Sequence, residues 1–276
     1  MRILIVLGQN KDSVHALNQV AKLAANTWAN ITLLGVLPKK TGLAISSDFI
    51  DTINKYQKTV LDHFDSAACP YSKSIDNYEL AEIKPGVFEK IYASDSRLKD
   101  LKVKIRIENP VKSILEEAHE NDSDLIVLPC DMEGYYKVAI SAECSVLAVK
   151  KEINKKRVLC CLDHDLVSQK SLEMISQMAT LFNADLAIAG LTKKYELKKN
   201  VQEKLDWLLK YYISKNIQPW IELVEISCLE KFISQENQWS LVTMWMGEKS
   251  IFEKIFHSSK VKTLLKNSRS SVLMLR

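Results

Sequence analysis

The amino-acid sequence predicts an α/β protein built from two tandem doubly wound domains, each with a mainly parallel five-stranded sheet and helices on both faces. The chain repeats itself: RILIVLGQNKDSVHALNQ, which begins at Arg2, returns from Arg157 as RVLCCLDHDLVSQKSLEM. Apolar runs such as DLIVLP and SVLAV lack the polar alternation of a half-exposed strand, so they predict a parallel sheet covered on both faces. Right-handed crossovers then give the doubly wound arrangement.

The elements follow one another in the same order in both halves. A buried strand leads through a polar turn with a serine into an amphipathic helix, and a second strand opens with ANI or ADL. Apolar residues recur at helical spacing in both helices: Ala16, Val20, Leu23 and Ala24 in one copy, and Leu172, Ile175, Met178, Ala179 and Phe182 in the other. Each half closes with helix, strand, helix and a last strand. We expect domains at 1–150 and 157–276, joined by a short charged stretch.

Residues 69–99 have no counterpart in the second half. They include Pro70, Pro85 and Gly86, so they cannot form one unbroken helix. Their aromatic residues could cover an apolar surface: Tyr71, Tyr78, Phe88 and Tyr92. The segment is either a packed excursion on the first domain or a contact for a partner or lid.

Composition limits the classes of partner. The chain has 38 basic and 34 acidic residues, interspersed along 276 positions, whereas nucleic-acid binding favours a concentrated basic face. No apolar run reaches the roughly 18 residues that would cross a bilayer. The first apolar stretch runs directly into polar, helix-capping sequence without a small-residue cleavage site, so it predicts a strand rather than a signal peptide. We therefore expect a cytoplasmic protein without nucleic acid or membrane as partner.

The sequence offers little that indicates catalysis or metal binding. The six cysteines form no C-x-x-C pair and no cluster at metal-ligand spacing, so they predict reduced, buried thiols. Asp163, His164 and Asp165 form an acid–His–acid run that suggests acid–base chemistry or a metal, but adjacent turn residues point in different directions and a solvated turn is favoured. No Ser/His/Asp or Cys/His arrangement carries a nucleophile elbow. We predict that the protein is not an enzyme and holds no metal.

Three stretches resemble the universal stress protein (UspA-like) family in its tandem two-domain form, and they occur in the same order as in that family. LDHDLVSQKSL resembles the family's first strand and the aspartate that ends it, and NPVKSILEEAHENDSDLIVLP resembles its third helix and fourth strand. VTMWMGEKS, followed later by SRSSVLMLR, resembles its Met-Gly loop and final strand. The resemblance implies a Rossmann-like, adenine nucleotide alpha hydrolase-like fold and a stress-response role, with or without ATP, usually without a defined reaction.

The resemblance also implies a nucleotide site in the second half. ATP-binding members carry G-x-x-G, nine residues and then G-[S/T] after the fourth strand, so that backbone amides and a hydroxyl meet the phosphates. Here Asp163 matches the aspartate of the first strand and Gly247 the first glycine. Ser250 replaces the second glycine, Ser258 stands at the third, and Ser259 takes the Ser/Thr role, with only seven residues between Ser250 and Ser258. We expect weak binding of ATP or AMP.

The first half departs further from the family pattern. Gly8 stands where the aspartate is expected, and the loop after DLIVLP is too short for the pattern. That loop also brings Asp131 and Glu133, which would repel a phosphate, so no nucleotide is expected in the first domain.

Partners follow from the resemblance alone. In the family the last strand of each domain pairs with its equivalent across a two-fold axis, which implies intramolecular pairing of SVLAV with SVLML and leaves a homodimer open. The protein partner is not identified. Three functions compete: a regulatory stress protein that binds nucleotide weakly, a nucleotide-independent interaction scaffold that uses the segment 69–99, and, least favoured, an ATP-hydrolysing or phosphotransfer enzyme.

Overall fold

The structure is a computed structural model that describes most of the chain in two compact units, Met1–Val149 and Lys150–Arg276. The described residues are 1–8, 11–38, 45–65, 69–72, 77–92, 98–130, 132, 134–150, 157–161, 168–194, 196, 199–238, 240–246 and 258–276.

The first unit contains seven strands and four helices among its described residues: β1 (Arg2–Leu7), α1 (Lys11–Thr27), β2 (Asn30–Leu37), α2 (Ser47–Leu61), β3 (Tyr78–Lys84), β4 (Val87–Tyr92), β5 (Leu101–Ile107), α3 (Pro110–Glu120), β6 (Leu125–Pro129), α4 (Tyr135–Ser141) and β7 (Ser145–Val149). Its strands lie in the order β7-β6-β1-β2-β5-β4-β3. The five strands from β7 to β5 pair in parallel, and the β3–β4 hairpin continues the sheet in antiparallel.

The second unit contains five strands and four α-helices within the part of the chain that is described: β8 (Arg157–Cys161), α5 (Gln169–Phe182), β9 (Asp185–Thr192), α6 (Lys199–Ser214), β10 (Pro219–Glu225), α7 (Leu229–Glu236) after a short 3-10 helix, β11 (Leu241–Trp245), α8 (Ser258–Asn267) and β12 (Val272–Leu275). The strands lie in the order β10-β9-β8-β11-β12, and all pair in parallel.

The predicted fold class, α/β with a mainly parallel sheet, is confirmed, although the sheet of the first unit has seven strands instead of the predicted five. From the first strand of each unit, β1 or β8, the chain adds the next parallel strands on one side and then places β6 or β11 on the other side. Right-handed crossovers in both directions put helices on both faces of the sheet. Strands such as β6 and β12 are buried at every residue, as a sheet covered on both faces requires. The core residues of the two first helices are buried as predicted, apart from Phe182, which is half-buried.

Strand register shows which positions of the two units are equivalent. Ile3 of β1 pairs with Leu125 of β6, and Val158 of β8 pairs with Leu241 of β11. Counting along β1 and β8 from these pairs makes Gly8 the equivalent of Asp163. The alignment of the two halves that equates Gly8 with Asp163 is therefore the one that the backbone pairing of the strands gives.

Within the segment without a counterpart, residues 78–92 form a β-hairpin, and the prediction that the segment is not a single helix is confirmed. Its turn falls at Pro85 and Gly86, where Gly86 has a φ of 73°, a conformation that glycine adopts without steric strain. β4 pairs with β5 through Phe88 and Ile105. Before the hairpin, Tyr71 is 4% exposed, and its hydroxyl donates to the Ala29 carbonyl oxygen. The hairpin thus covers the edge of β5 that the parallel sheet would leave unpaired.

Candidate functional site

Strands β8 and β11 end side by side in the second unit. Cys161, the last residue of β8, pairs with Met244, and Trp245 ends β11 one residue later. The next strand in the chain, β9, lies on one side of β8, and β11 lies on its other side. The strand order therefore reverses between β8 and β11, which makes this pair a topological switch point. Open α/β sheets bind ligands in the crevice at such a point, outside the carboxyl ends of the strands.

The predicted nucleotide residues follow these two strand ends in the chain. Asp163 comes two residues after Cys161, and Gly247 comes two residues after Trp245. Asp163, Gly247 and Ser250 lie outside the described residues, so their contact with a nucleotide stays a prediction.

The two remaining predicted residues begin a helix. Ser258 is the first residue of α8, and Ser259 is the second and is exposed. The first backbone N–H groups of a helix have no partner within it, and the helix dipole places partial positive charge there. The third residue, Lys260, forms an ion pair with Glu230 at 2.5 Å. A helix therefore begins where the resemblance places the Ser/Thr that meets phosphate.

Trp245 was not predicted as part of the site. It is 8% exposed, and its indole Nε1 has no hydrogen-bond partner among the described residues. The backbone beside it is fixed, because Met246 N–H donates to the Leu275 carbonyl at 2.8 Å. The Pro129–Val149 and Trp245–Leu275 pairs show that Pro129 is the equivalent residue of the first unit. The sequence signal was a tryptophan at the last position of an apolar strand.

The two cysteines of β8 are not suited to nucleophilic or metal chemistry. Both are fully buried. Burial raises the pKa of the Cys160 thiol to about 12, although a hydrogen bond with Thr243 opposes the shift. Burial, followed by the neighbouring Cys160, raises the pKa of Cys161 well above its usual value. Because only the thiolate attacks or binds metal, these thiols are inert at neutral pH.

The equivalent strand end of the first unit is closed by protein side chains. The Gly8 N–H donates to Ser13 Oγ at 2.9 Å, and the Tyr56 hydroxyl donates to the Gly8 carbonyl at 2.9 Å. Ser13 is fully buried, and a Cβ added to Gly8 would lie 3.2 Å from Ser13 Oγ. Both backbone groups of Gly8 are therefore used within the unit, and the position offers no carboxylate.

The backbone after β6 is also occupied with its own hydrogen bonds. The N–H groups of Cys130, Met132 and Tyr135 donate to the carbonyls of Val149, Pro129 and Met132 at 3.0, 3.3 and 3.3 Å. Gly134, with a φ of 78°, ends the turn before α4. A phosphate cradle needs several backbone N–H groups free to donate. These three amides are not free, while Asp131 and Glu133 lie outside the described residues.

Two further features bear on the type of protein. Within the described ranges, no three His, Cys, Asp or Glu side chains come together in a way that could hold a metal ion. Over the same ranges, none of the helices combines the length and the apolar character that crossing a membrane would need.

Comparison with known proteins finds a family match for the first unit. The model of the universal stress protein family matches residues 1–131. No curated protein sequence matches the chain. A universal stress protein from Archaeoglobus fulgidus DSM 4304 has a similar structure, with a TM-score of 0.53 and 12% identity, over 100% of this chain and 96% of that one.

Two other solved structures are similar over nearly the whole chain. A protein of unknown function from Pseudomonas aeruginosa PAO1 has a TM-score of 0.61 and 13% identity, over 99% of this chain and 92% of that one. The cytoplasmic domain of a prokaryotic cation chloride cotransporter has a TM-score of 0.57 and 10% identity, over 99% and 94%. At such identities the likeness concerns the fold alone, and one fold hosts many functions. The match to the universal stress protein family covers residues 1–131, so it places this part of the chain in the family.

Proposed function

We propose that the chain is a universal stress protein in both of its domains, a non-enzymatic regulatory protein whose second domain binds an adenine nucleotide, ATP or AMP, weakly. The first domain, residues 1–150 in our assignment, is structural and binds none. The second, residues 157–276, carries the site formed by Asp163, Gly247, Ser250, Ser258 and Ser259.

One contrast supports this proposal more than any other observation. In the first unit the end of β1 is closed by Ser13 and Tyr56, and the turn after β6 uses its own amides. In the second unit the equivalent of Gly8 is an aspartate, and a helix begins at Ser258 after more residues than separate β6 from α4. Asp163 follows β8 and Gly247 follows β11, and these two strands end at a switch point. An acidic residue and a glycine at such a point favour nucleotide binding.

Each site residue has a physical role in this proposal. The Asp163 carboxylate accepts hydrogen bonds from the ribose hydroxyls, on the adenine and ribose side. Gly247 lets the backbone approach the phosphates, and the α8 N-terminus with Ser258 and Ser259 donates hydrogen bonds to them. A bound nucleotide then stabilises the stretch from Gly247 to Ser259 and changes the surface that a partner protein meets. Pairing between the final strands of the two domains, and a homodimer, stay predictions.

Thermal unfolding of nucleotide-stripped protein tests the proposal. A ligand at about 100 times its Kd adds roughly 2.7 kcal/mol to the free energy of unfolding, so millimolar ATP or AMP, each with and without Mg²⁺, should raise Tm measurably. Asp163→Ala should abolish the shift. Asp185→Ala is the matched control, because Asp185 is an exposed aspartate at the opposite end of a strand in the same domain.

The outcomes separate the competing functions. No Tm shift with either nucleotide would rule out the sensor. A shift lost in Asp163→Ala and kept in Asp185→Ala, without phosphate release over hours, supports sensing over hydrolysis. Steady phosphate release that Asp163→Ala abolishes would instead favour an ATP-hydrolysing enzyme.

A nucleotide-independent scaffold is the second candidate. The hairpin exposes two large apolar side chains, Ile83 at 44% and Ile91 at 49%. The Tyr92 hydroxyl instead accepts a hydrogen bond from Gln57 Nε2 at 2.7 Å within the domain. The contact surface of a scaffold would therefore lie on these isoleucines rather than on the aromatic residues. The double variant Ile83→Thr, Ile91→Thr should lose partner proteins in pull-downs, and unchanged partners would count against the scaffold.

A further inference from the structure

The sheet of the second unit has an open edge at β10. This strand pairs in parallel with β9, and no other strand within the described ranges pairs with it. Gly35 of β2 pairs with Ile105 of β5. Gly190, at the same position of β9, pairs with Leu223 of β10, so Leu223 is the equivalent of Ile105. In the first unit this edge is covered, because β4 pairs with β5 in antiparallel orientation.

The exposure of the equivalent side chains shows what the cover protects. Ile105 lies opposite Phe88 of β4 and is buried, whereas Leu223 is 64% exposed. The side chain of Leu223 lies on the α6 face of the sheet, because a Cβ added to Gly190 would lie 3.0 Å from Leu223 Cδ2 and 3.1 Å from Leu205 Cδ1. A large apolar side chain thus stands in solvent on an edge strand, and such edges pair readily with further strands.

The side of α6 next to this edge is apolar as well. Ile53 of α2 and Leu205 of α6 lie over the equivalent glycines of β2 and β9, so the two helices align on this pair. The alignment equates Gln57 with Leu209. Gln57 is a residue through which α2 meets the hairpin, because its Nε2 donates to the Tyr92 hydroxyl at 2.7 Å. A position that contacts the hairpin in the first unit therefore carries a leucine in the second.

Ile213 extends this apolar side of α6 by one turn. It follows Leu209 by four residues, and residues at this spacing lie on the same side of a helix. Its equivalent in α2 is Leu61, which is buried, whereas Ile213 is 58% exposed. Leu223 and Ile213 are thus the exposed counterparts of two side chains that the first unit buries. Together they make the edge at β10 an apolar surface.

The backbone pairing of the first unit shows which groups of β10 point outward. The Ile107 N–H donates to the Gly86 carbonyl at 2.9 Å, so Ile107 and every second residue before it direct their N–H and C=O groups towards the hairpin. Glu225 is the equivalent of Ile107 in the same register. Counting back from Glu225 in steps of two gives Leu223 and Ile221. The backbone groups of these two residues therefore point towards an added strand.

A second copy of β10 fits this edge. A strand that pairs with its own copy about a two-fold axis is antiparallel, as β4 is to β5. With the axis at Leu223, the two leucines lie opposite each other and exchange two backbone hydrogen bonds. Ile221 then lies opposite Glu225. Glu222 lies opposite Val224, so no like charges face each other. The neighbouring register, with the axis at Glu222, would place two glutamates opposite each other.

We propose that the chain forms a homodimer in which β10 pairs in antiparallel orientation with β10 of a second copy, with Leu223 at the two-fold axis and Ile213 beside it. The second copy supplies the strand that β4 supplies to β5 in the first unit. The interface is separate from the nucleotide site, and the proposal does not depend on nucleotide binding.

Sedimentation equilibrium of the full chain tests the interface. Wild type should be a dimer in the micromolar range. Leu223→Lys should raise the dissociation constant of the dimer at least about 100-fold, because burial of a leucine contributes about tenfold or more in each copy and a lysine on an edge strand opposes pairing. Ile83→Lys is the matched control and should leave the dimer intact, because Ile83 is an exposed isoleucine on β3, at the edge of the first unit's sheet. A monomeric wild type, a dimer that withstands Leu223→Lys, or a dimer that only Ile83→Lys disrupts would overturn the proposal.

Disulfide cross-linking tests the register and does not rely on the folding of Leu223→Lys. Opposite Cα atoms in a hydrogen-bonded antiparallel pair lie about 5.5 Å apart, a distance that a disulfide spans. With Cys228→Ser, which removes an exposed native thiol, Leu223→Cys should form a covalent dimer when copper phenanthroline is the oxidant. Ile221→Cys should not, because the two copies of that residue would lie roughly 13 Å apart along the strands. Absence of the Leu223→Cys dimer, or equal cross-linking of Ile221→Cys, would contradict the pairing.

Discussion

Lys90 is the buried cation whose removal gives the sharpest test of how the hairpin joins the first domain. It is 4% exposed on β4, where its Nζ contacts Asn54 Oδ1, donates to Gln57 Oε1 at 3.2 Å and lies 4.0 Å from the centre of the Tyr78 ring. No carboxylate pairs with it within the described residues. Burial lowers the pKa of Lys90 from 10.5 to about 8.

The pKa shift sets both the sign and the size of the effect. The unfolded chain keeps the proton up to about pH 10.5, whereas the folded chain releases it from about pH 8. The free energy of unfolding therefore rises with pH between these values. A difference of 2.5 pKa units corresponds to about 3.4 kcal/mol. Partial solvent screening and the Tyr78 ring, which favours the cation, reduce the expected gain to about 1–2 kcal/mol.

Urea unfolding at pH 7.0 and at pH 9.5 measures this gain in wild type and in Lys90→Met. Wild type should gain about 1 kcal/mol relative to Lys90→Met between the two conditions, since about three-fifths of the window between pH 8 and pH 10.5 has been crossed at pH 9.5. Comparing the two proteins cancels the titration of all other groups. Lys84→Met removes an exposed lysine from the same hairpin and serves as the control. A difference that does not change with pH, or one that favours Lys90→Met as pH rises, would refute the reasoning.

Three further substitutions test the packing. Glu117→Gln should destabilise the chain by about 3 kcal/mol in urea unfolding, because the buried Glu117 carboxylate pairs with Lys104 and Arg106 at 2.8 Å. Glu116 is half-exposed, so the control Glu116→Gln should cost under about 1 kcal/mol. Trp28→Asn should raise the free energy of unfolding by about 0.5–1 kcal/mol, because Trp28 has a φ of 48° at a helix end where the second unit places Asn183; no gain would contradict this. Gly35→Ala should lower Tm by several degrees, a loss of about 1–3 kcal/mol, because its Cβ would lie 2.8 Å from the Phe49 ring.

Much of the fold could be predicted from local patterns. Apolar runs of strand length and helices with apolar residues at a spacing of three and four follow from the periods of the two structures, so Ala16, Val20 and Leu172 are buried as expected. The repeat then predicted two similar doubly wound units. Ile213 shows the limit of such patterns: a spacing of eight residues predicts the same face of α6 as the buried Leu205, yet Ile213 is 58% exposed.

Sequence alone determined the fold class, the repeated unit and the equivalence of Gly8 with Asp163, because these depend on short-range periodicity and on comparison of the two halves. Only the tertiary structure decided that Tyr56 reaches the Gly8 carbonyl and that residues 78–92 form a hairpin covering the edge of β5. It also decided that Asn237 meets Ser268 between two helices. These contacts join residues that are 48 and 31 positions apart, so they depend on how the sheet brings distant elements together, which no local pattern encodes.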